Sequence, residues 1–370
     1  MSDFLIIGAG INGLLLAREL LSAGASVRLV DKAEPGREAS WAGGGIVSPL
    51  YPWRYDASVT ALADWAQAFY PRLAETLQQE TGQDVEFNPC GLLMLDAEDA
   101  ESALIWARDH NRAMAWQKPE QIYQRESLLS AGFHQGLWME EIANIRNPLL
   151  IKALLNSLQQ SDQLTLNSHT EVLELRKEGN RISAVVVREA SATRTANIEA
   201  GEVVVTAGAW SQALLASTAE EVPVEPVKGQ MLLYRFPQPP ITSIVLYQGR
   251  YLIPRLDGHV LVGSTLEHVG FDKKITREAR SSLEQSARAI LPRLDEMKPV
   301  AQWAGLRPGS PQGIPVIGRI QSLDNLSVSA GHHRNGLVLA PASARLLADI
   351  LLQRSTIVDP EPYAPKKEND

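Results

Sequence analysis

The sequence is poor in cysteine, in long apolar runs and in positive charge, and each shortage excludes a class of protein. Its 370 residues contain a single cysteine, Cys90, so no intramolecular disulfide can hold the fold. No apolar run reaches the ~18 residues that a membrane-spanning helix needs, because Arg18 and Glu19 interrupt the most hydrophobic early stretch. A secretory signal finds no room, since the first predicted strand begins at about Phe4. These features predict a protein of the reducing cytoplasm without an integral membrane segment.

Lysine and arginine number 35 against 43 aspartates and glutamates, which gives a formal net charge of −8. A nucleic acid would therefore have to be held by a local basic patch against an unfavourable overall field, and we expect no nucleic-acid partner. Hydrophobic residues at 45% and charged residues at 21% are the proportions of an ordinary globular protein. A chain of this length exceeds what one hydrophobic core usually organises, so two domains are predicted.

The first thirty residues carry the clearest pattern of the chain. A short apolar run ends at Ile7, a glycine-rich turn follows, and leucines recur at helical spacing until Gly24. A second apolar run ends in Asp31, 18 positions after Gly13, close to the ~20-residue offset of the acid that binds a ribose in dinucleotide-binding βαβ units. The pattern predicts a dinucleotide site that includes Gly8, Gly10, Gly13 and Asp31.

The residue types of this turn suit that ligand. Gly8 permits a sharp exit from the strand, Gly10 lets the backbone approach a pyrophosphate, and Gly13 lets the helix pack closely on the sheet. The N-terminal amides of the helix would then face the phosphates. Asp31 would accept hydrogen bonds from ribose hydroxyls and repel a 2′-phosphate, which disfavours a ligand of the NADP type.

A second glycine cluster occupies residues 43–45, within the stretch from Gly36 to Ile46. A dehydrogenase that binds NAD through one βαβ unit does not need it, so a larger dinucleotide is indicated. Backbone without side chains can lie against a flat ring or a phosphate. A mobile glycine-rich loop is the alternative interpretation.

Further motifs follow in order along nearly the whole chain: Ser40–Pro49, Thr206–Ser211, Pro226–Gln230, Tyr251–Pro254, Trp303–Gly309 and Gly331–Pro341. With the first glycine motif, they resemble the FAD-dependent amine oxidases of the D-amino-acid oxidase type, and within them the bacterial glycine oxidases associated with thiamine biosynthesis. The resemblance implies an α/β fold with a Rossmann-type FAD-binding domain and a smaller antiparallel-sheet substrate domain. We expect the first domain at 1–85, 141–222 and 304–355, the second at 86–140 and 223–303, and a frayed polar tail at 356–370.

The same resemblance implies the residues of the site. Arg307 would anchor the substrate carboxylate, with Tyr251 donating a second hydrogen bond and Arg334 nearby. Ile46 and Leu266 would line the substrate pocket at positions where glycine oxidases can carry methionine, so the size of the pocket stays open. Besides Gly8, Gly10, Gly13 and Asp31, the implied FAD contacts are Ile11, Asn12, Lys32, Ala39, Ser40, Gly44, Gly45, Ile46, Val172, His332, His333, Arg334, Asn335, Gly336, Leu337 and Val338. Asn335 and Gly336 would open a final helix whose N-terminus stabilises negative charge on the flavin.

The implied reaction is oxidation of glycine, and of sarcosine or small D-amino acids, by FAD and molecular oxygen. No catalytic side chain beyond the flavin is required if the substrate amine loses its proton first. A dehydrogenase of the same fold with a non-oxygen acceptor is one alternative, and a flavin-retaining amino-acid sensor without turnover is another. The adjacent His332 and His333 lack a third ligand at a sensible spacing, so no metal is predicted. A homo-oligomer is compatible with the sequence.

Overall fold

The structure is a computed structural model that describes residues 2–366. Its helices, numbered in chain order, are α1 (Ile11–Ser22), α2 (Ala39–Ala42), α3 (Ala57–Thr81), α4 (Ala100–Asp109), α5 (Pro119–Arg125), α6 (Asn147–Leu158), α7 (Ser211–Leu215), α8 (Arg277–Ile290) and α9 (Gly336–Leu351). Its strands are β1 (Ser2–Ile7), β2 (Val27–Val30), β3 (Leu92–Leu95), β4 (Met114–Gln117), β5 (Gly136–Met139), β6 (Leu164–Asn167), β7 (Thr170–Glu178), β8 (Arg181–Glu189), β9 (Ala196–Ile198), β10 (Ala200–Val205), β11 (Glu225–Arg235), β12 (Ile244–Tyr247), β13 (Arg250–Pro254), β14 (His259–Gly263), β15 (Ala301–Gly309), β16 (Val316–Arg319) and β17 (Leu326–Ala330).

The first sheet has the strand order β16-β17-β10-β1-β2-β6, and all of its pairs are parallel except β16 with β17. The central strands end in apolar, buried residues, 5–7 of β1 and 203–205 of β10, as expected where both faces of a sheet are covered. Ile6 and Val204 pack with α1, α3, α6 and α9, whereas Leu5 and Val203 pack on the opposite side with the β7-β8-β9 sheet. The predicted Rossmann-type sheet is therefore confirmed. The carboxyl ends of β1, β2 and β10 meet at one edge.

The second sheet has the order β15-β11-β14-β13-β12-β3-β5-β4 and is antiparallel except for the β3–β12 pair. Helix α8 packs through Leu283 and Ala287 on one face, with Leu232 and Val262 of the sheet. The other face carries Met231, Tyr251 and Ile253 together with partly buried residues of the 46–53 segment. That second face points towards the glycine-rich segment of the first domain.

Strand β15 runs through the domain boundary expected at residue 304. Residues 301–309 pair with 225–233 of β11 without interruption, so a boundary at 304 would divide a continuous strand. We therefore propose that the second domain extends to Gly309 and that the first domain resumes after it.

The end of the chain differs from the prediction of a frayed tail. Tyr363 is only 2% exposed, and its hydroxyl donates a hydrogen bond to the Ser58 carbonyl at 2.7 Å. The prediction is wrong up to residue 366, because one aromatic ring anchors this segment in the core of the first domain. Residues 367–370 of the predicted tail lie outside the described residues. Within residues 2–366, no helix combines the length and the apolar character needed to cross a membrane.

Candidate active site

A cavity of about 440 Å³ lies where the carboxyl edge of the parallel sheet meets the second sheet. One part of its wall comes from Gly8, Asp31 and Thr206, which follow β1, β2 and β10. Another part comes from Tyr251, Ser264 and Arg307 of the second sheet. Ligands of open α/β sheets bind outside the carboxyl ends of the strands, so the location is that of a functional site.

The first glycine turn is packed too tightly to admit side chains. Gly8 has φ +109°, and a Cβ there would lie 2.5 Å from the Thr206 carbonyl oxygen. A Cβ at Gly13 would clash with the Gly8 carbonyl oxygen and would lie 2.8 Å from Thr206 Oγ1. Gly13 therefore acts behind the cavity wall, where it lets α1 approach the strand, rather than in the wall itself.

Asp31 is held against this turn. Its carboxylate accepts hydrogen bonds from the Ala9 amide at 2.7 Å and from the Ala33 amide at 3.0 Å. Burial raises its pKa, and these two backbone donors oppose the shift. Asp31 also lines the cavity, and each carboxylate oxygen keeps a lone pair for a further donor. The residue predicted to bind a ribose thus also fixes the shape of the glycine turn.

The first turn of α1 has the free backbone donors that a diphosphate needs. Gly10 precedes the helix without a side-chain cap, and the Ile11 amide donates to Ser40 Oγ at 2.9 Å. The next amides, of Asn12 and Gly13, have no acceptor within the helix. Among the described residues, Asn12 Oδ1 is a buried oxygen without a hydrogen-bond partner, and Asn12 lines the cavity. The free backbone amide of Asn12 at this helix N-terminus fits the diphosphate of a dinucleotide, whereas Asn12 Oδ1 can pair only with a donor and not with a phosphate oxygen.

The second glycine cluster lies between the two sheets. A Cβ at Gly44 would lie 2.7 Å from Ile253 Cδ1 and 3.3 Å from Tyr251 Cε2. Gly45 has φ +79°, and its carbonyl accepts a hydrogen bond from the Ile145 amide at 2.8 Å. The Val47 amide continues the pairing on the Ala143 carbonyl at 2.9 Å. This pairing favours a built wall of the cavity over the alternative of a mobile loop.

The start of α9 forms another wall, as expected from the Asn335-Gly336 pair. His332 is 1% exposed and its Nε2 lies 3.0 Å from Ser343 Oγ. Burial lowers the pKa of His332 to about 4, and it lowers the pKa of His333 to about 4 with help from the positive charge of Arg307. Both imidazoles are therefore neutral at pH 7. Within residues 2–366, no three His, Cys, Asp or Glu side chains form a group that could hold a metal.

Arg307 stands on β15, and the lack of a side chain at Gly229 leaves room for its guanidinium. Its Nη2 donates to Ser264 Oγ at 2.6 Å and its Nη1 donates to the Thr265 carbonyl at 3.2 Å. Burial lowers the pKa of Arg307, and the neighbouring Tyr251 opposes that shift. A guanidinium has five N–H donors, so three remain for a ligand.

Tyr251 is 7% exposed and lies beside Arg307 in the cavity wall, with Arg334 contributing a second guanidinium. In the part of the chain that the structure describes, neither arginine has a carboxylate within 4.0 Å. The acids of the wall, Asp31, Glu38 and Glu171, belong to the glycine-turn side. The Arg307 end is therefore positive and suited to a small carboxylate.

Most of the predicted site residues come together in this cavity. The wall includes Gly8, Gly10, Ile11, Asn12, Asp31, Lys32, Ala39, Ser40, Gly44, Gly45, Ile46, Val172, Tyr251, Arg307, His332, His333, Arg334, Gly336 and Leu337. Gly13, Asn335, Val338 and Leu266 do not line it. Asn335 and Val338 are buried behind the wall, whereas Leu266 is 47% exposed beyond the end of β14. The structure thus does not bring Leu266 to the substrate pocket, since its side chain is turned to solvent.

Sequence reasoning missed several residues of the site. Trp210 lines the cavity and has Lys32 Nζ at 3.4 Å from its ring centroid. Its position just after an apolar run that returns to the nucleotide sheet could have indicated it. Ser264 lines the cavity and bonds Arg307, yet no local pattern distinguishes this serine from others.

Comparison with known proteins agrees with this geometry. The chain is 53% identical over 360 residues to the glycine oxidase of Pseudomonas aeruginosa, covering 97% of each chain. It is 47% identical over 361 residues to the glycine oxidase of Pseudomonas putida, covering 98% of this chain and 97% of that protein. The crystal structure of glycine oxidase from Geobacillus kaustophilus superposes with a TM-score of 0.91 at 26% identity, over 99% of both chains.

A family model described as FAD dependent oxidoreductase matches residues 3–350. This match spans both sheets, the two glycine clusters and the Arg307 strand. The chain therefore belongs to the FAD-dependent oxidoreductase family.

Proposed function

We propose that the protein oxidises glycine, together with sarcosine or small D-amino acids, to the 2-oxo acid, ammonia or an amine, and hydrogen peroxide. The observation that carries the proposal is the pairing of Arg307 with Tyr251 at one end of a cavity whose other end is a dinucleotide cradle. The similarity to glycine oxidases over nearly the full length of the chain supports it.

The cofactor of this family is FAD, and the residues of the cradle fit it. The amide of Asn12 at the start of α1 would donate to the diphosphate, and Asp31 would accept from a ribose. When bound, FAD supplies a two-electron acceptor for the Cα–H bond of an amine and returns the electrons to oxygen.

Arg307 would orient the substrate. Its free N–H donors would grip both carboxylate oxygens, and the Tyr251 hydroxyl would add a further hydrogen bond. A two-point grip fixes the rotation of a small zwitterion, so the Cα–H bond is presented in one direction.

The wall offers no carboxylate to remove the amine proton at the Arg307 end, and His333 is a neutral, weak base with a pKa of about 4. Substrate that has already lost its proton is therefore the reactive form, and kcat/KM should rise with pH until the amine is neutral. The balanced reaction for glycine consumes oxygen and water and yields glyoxylate, ammonia and hydrogen peroxide.

Purified protein loaded with FAD tests the proposal. Glycine should produce glyoxylate and hydrogen peroxide in equal amounts while oxygen is consumed. Faster turnover with an artificial acceptor than with oxygen would instead favour a dehydrogenase. FAD that keeps its yellow colour when glycine is added without oxygen would favour a sensor, and it would overturn the proposal if sarcosine and D-alanine also leave it unchanged.

We also propose that the enzyme works in the cytoplasm and that oxidised glycine supplies thiamine thiazole synthesis, on the motif resemblance and the shortage of cysteine. Deletion of the gene should then produce a thiamine requirement, which the Arg307→Ala variant should fail to relieve.

A further inference from the structure

Arg255 is a buried cation that bonds only to neutral groups. It directly follows β13 and is 4% exposed. Its Nη1 donates to Asn144 Oδ1 at 2.7 Å and to the Ile145 carbonyl at 2.9 Å, and its Nη2 donates to the Gly44 carbonyl at 3.0 Å. The guanidinium thus joins the second sheet to two segments of the first domain.

No acid forms a salt bridge with this cation, although Glu86 and Asp257 are near enough to favour its charged form. The nearby Glu86 and Asp257 are engaged by Arg146, at 2.9 Å and 3.0 Å, and among residues 2–366 no carboxylate lies within 4.0 Å of Arg255. Burial lowers the pKa of Arg255 to about 10, and Arg146 shifts it in the same direction, whereas Glu86 and Asp257 oppose the shift. The group therefore stays charged at pH 7. A buried charge without a direct ion pair is costly, and a purely structural link could be made by neutral side chains.

Gly44, whose carbonyl accepts a hydrogen bond from Arg255, lies in the wall of the cavity. Gly44 and Gly45 line the cavity, and the Cβ position of Gly44 is 3.3 Å from the Tyr251 ring. The diphosphate belongs at the α1 end, and the ring that accepts the electrons must reach the substrate beside Tyr251 and Arg307. The backbone that Arg255 holds is therefore the wall of the redox end, given the FAD placement proposed above.

We propose that Arg255 is a positioning residue that fixes the Gly44–Gly45 backbone at the redox end of the cavity and, through a positive charge that lies closer to this backbone than the acids around it, makes bound FAD easier to reduce. Reduction adds negative charge to the ring system, and a fixed cation behind a thin, water-poor wall of glycine backbone stabilises that charge. Because residues 44 and 45 are both glycine, no side chain of this segment lies between the Arg255 guanidinium and the ring system of FAD.

The test measures the reduction equilibrium of bound FAD against a reference dye, without oxygen and with a chemical reductant. In Arg255→Met, the equilibrium constant for reduction should fall about tenfold or more, which equals about 30 mV for a two-electron couple. Arg255→Gln, which keeps some hydrogen bonds and lacks the charge, should behave alike and serves if the methionine variant does not fold. Arg255→Lys should restore most of the wild-type value.

Arg235→Met is the matched control, because it removes one positive charge from the exposed end of β11 and should leave the equilibrium unchanged. An uncharged Arg255 variant that folds, binds FAD and shows the wild-type equilibrium would overturn the proposal, even if its melting temperature is lower. The measurement uses no glycine, so a failure of glycine oxidation in the wild type would not affect its outcome.

Discussion

The two ends of the cavity are built in opposite ways. The diphosphate end is formed mainly by residues 8–31, one continuous βαβ stretch, with Thr206 as its chief distant contact. The redox and substrate end gathers Gly44, Tyr251, Ser264 and Arg307 from four separate segments. Its two halves are joined by long-range bonds such as that from Trp303 Nε1 to the Ala42 carbonyl, across 261 positions of sequence.

This difference decides what each end tolerates. At the diphosphate end, the backbone supplies the ligand contacts. A mutation there would act mainly by disturbing the tight packing of the glycine turn. At the substrate end, side chains supply them, and their partners lie on other strands. We therefore expect mutations at the first end to weaken FAD binding, and mutations at the second to weaken glycine turnover while FAD stays bound.

Arg307→Ala should have the largest effect. It removes two charge-assisted hydrogen bonds worth roughly 1.5 to 3 kcal/mol each, so kcat/KM for glycine should fall by about a hundredfold or more. Steady-state peroxide assays measure it, and the FAD content of the purified variant should match that of the wild type.

Arg307→Lys is the matched control, since it keeps the charge and loses the planar fork. Its kcat/KM should lie between those of the wild type and the alanine variant. Near-normal glycine kinetics in Arg307→Ala would remove the assignment of this residue as the carboxylate anchor.

Gly13→Ala should have the next largest effect, at the opposite end. The added methyl group would clash with the Gly8 carbonyl and crowd Thr206 Oγ1, an overpacking that typically costs about 1 to 3 kcal/mol. Fluorescence titration of the apoprotein should show FAD affinity weakened by about tenfold or more, while the FAD-bound fraction keeps its KM for glycine. An unchanged affinity for FAD would mean that the glycine turn accommodates the methyl group. It would contradict the expectation that mutations at this end weaken FAD binding.

The same contrast explains how much could be predicted from sequence. The βαβ unit follows from local periodicity, and the structure places it in β1, α1 and β2. The parallel β3–β12 pair joins residues 92–95 to 244–247, and no local pattern specifies that register.

The substrate end could be predicted only through motif resemblance. Arg307 alone, in a stretch rich in glycine and proline, is indistinguishable from a solvated surface arginine. Leu266, which the resemblance implies in the substrate pocket, is 47% exposed and does not line the cavity of the structure. The burial of Arg255 could not be predicted from the sequence, because it depends on contacts with Gly44, Asn144 and Ile145, which are distant in the chain.

Ser264→Ala should have a smaller effect, on the binding of glycine at the substrate end of the cavity. It removes the acceptor of Arg307 Nη2, so the guanidinium loses one of the two hydrogen bonds that orient it. A hydrogen bond to a charged group contributes about 1.5 to 3 kcal/mol, and part of this should appear as a roughly tenfold higher KM for glycine with kcat nearly unchanged. Ser282→Ala is the control, because Ser282 Oγ accepts from Arg250, which does not line the cavity. Equal effects of the two variants would show that Ser264 has no special role.

The smallest expected effect concerns the start of α9. His332 is neutral when folded, with a pKa of about 4 against 6.5 for the free side chain, so the unfolded state binds more protons between these values. Stability should therefore fall as the pH drops through this window, by about 1 kcal/mol between pH 7 and pH 5.5 from this residue. Urea unfolding of His332→Gln should show that much less acid sensitivity than the wild type, whereas His134→Gln, at an exposed position, should not. Identical acid sensitivity in wild type and His332→Gln would mean that this histidine takes up its proton without unfolding, and that the start of α9 opens to water more readily than its burial indicates.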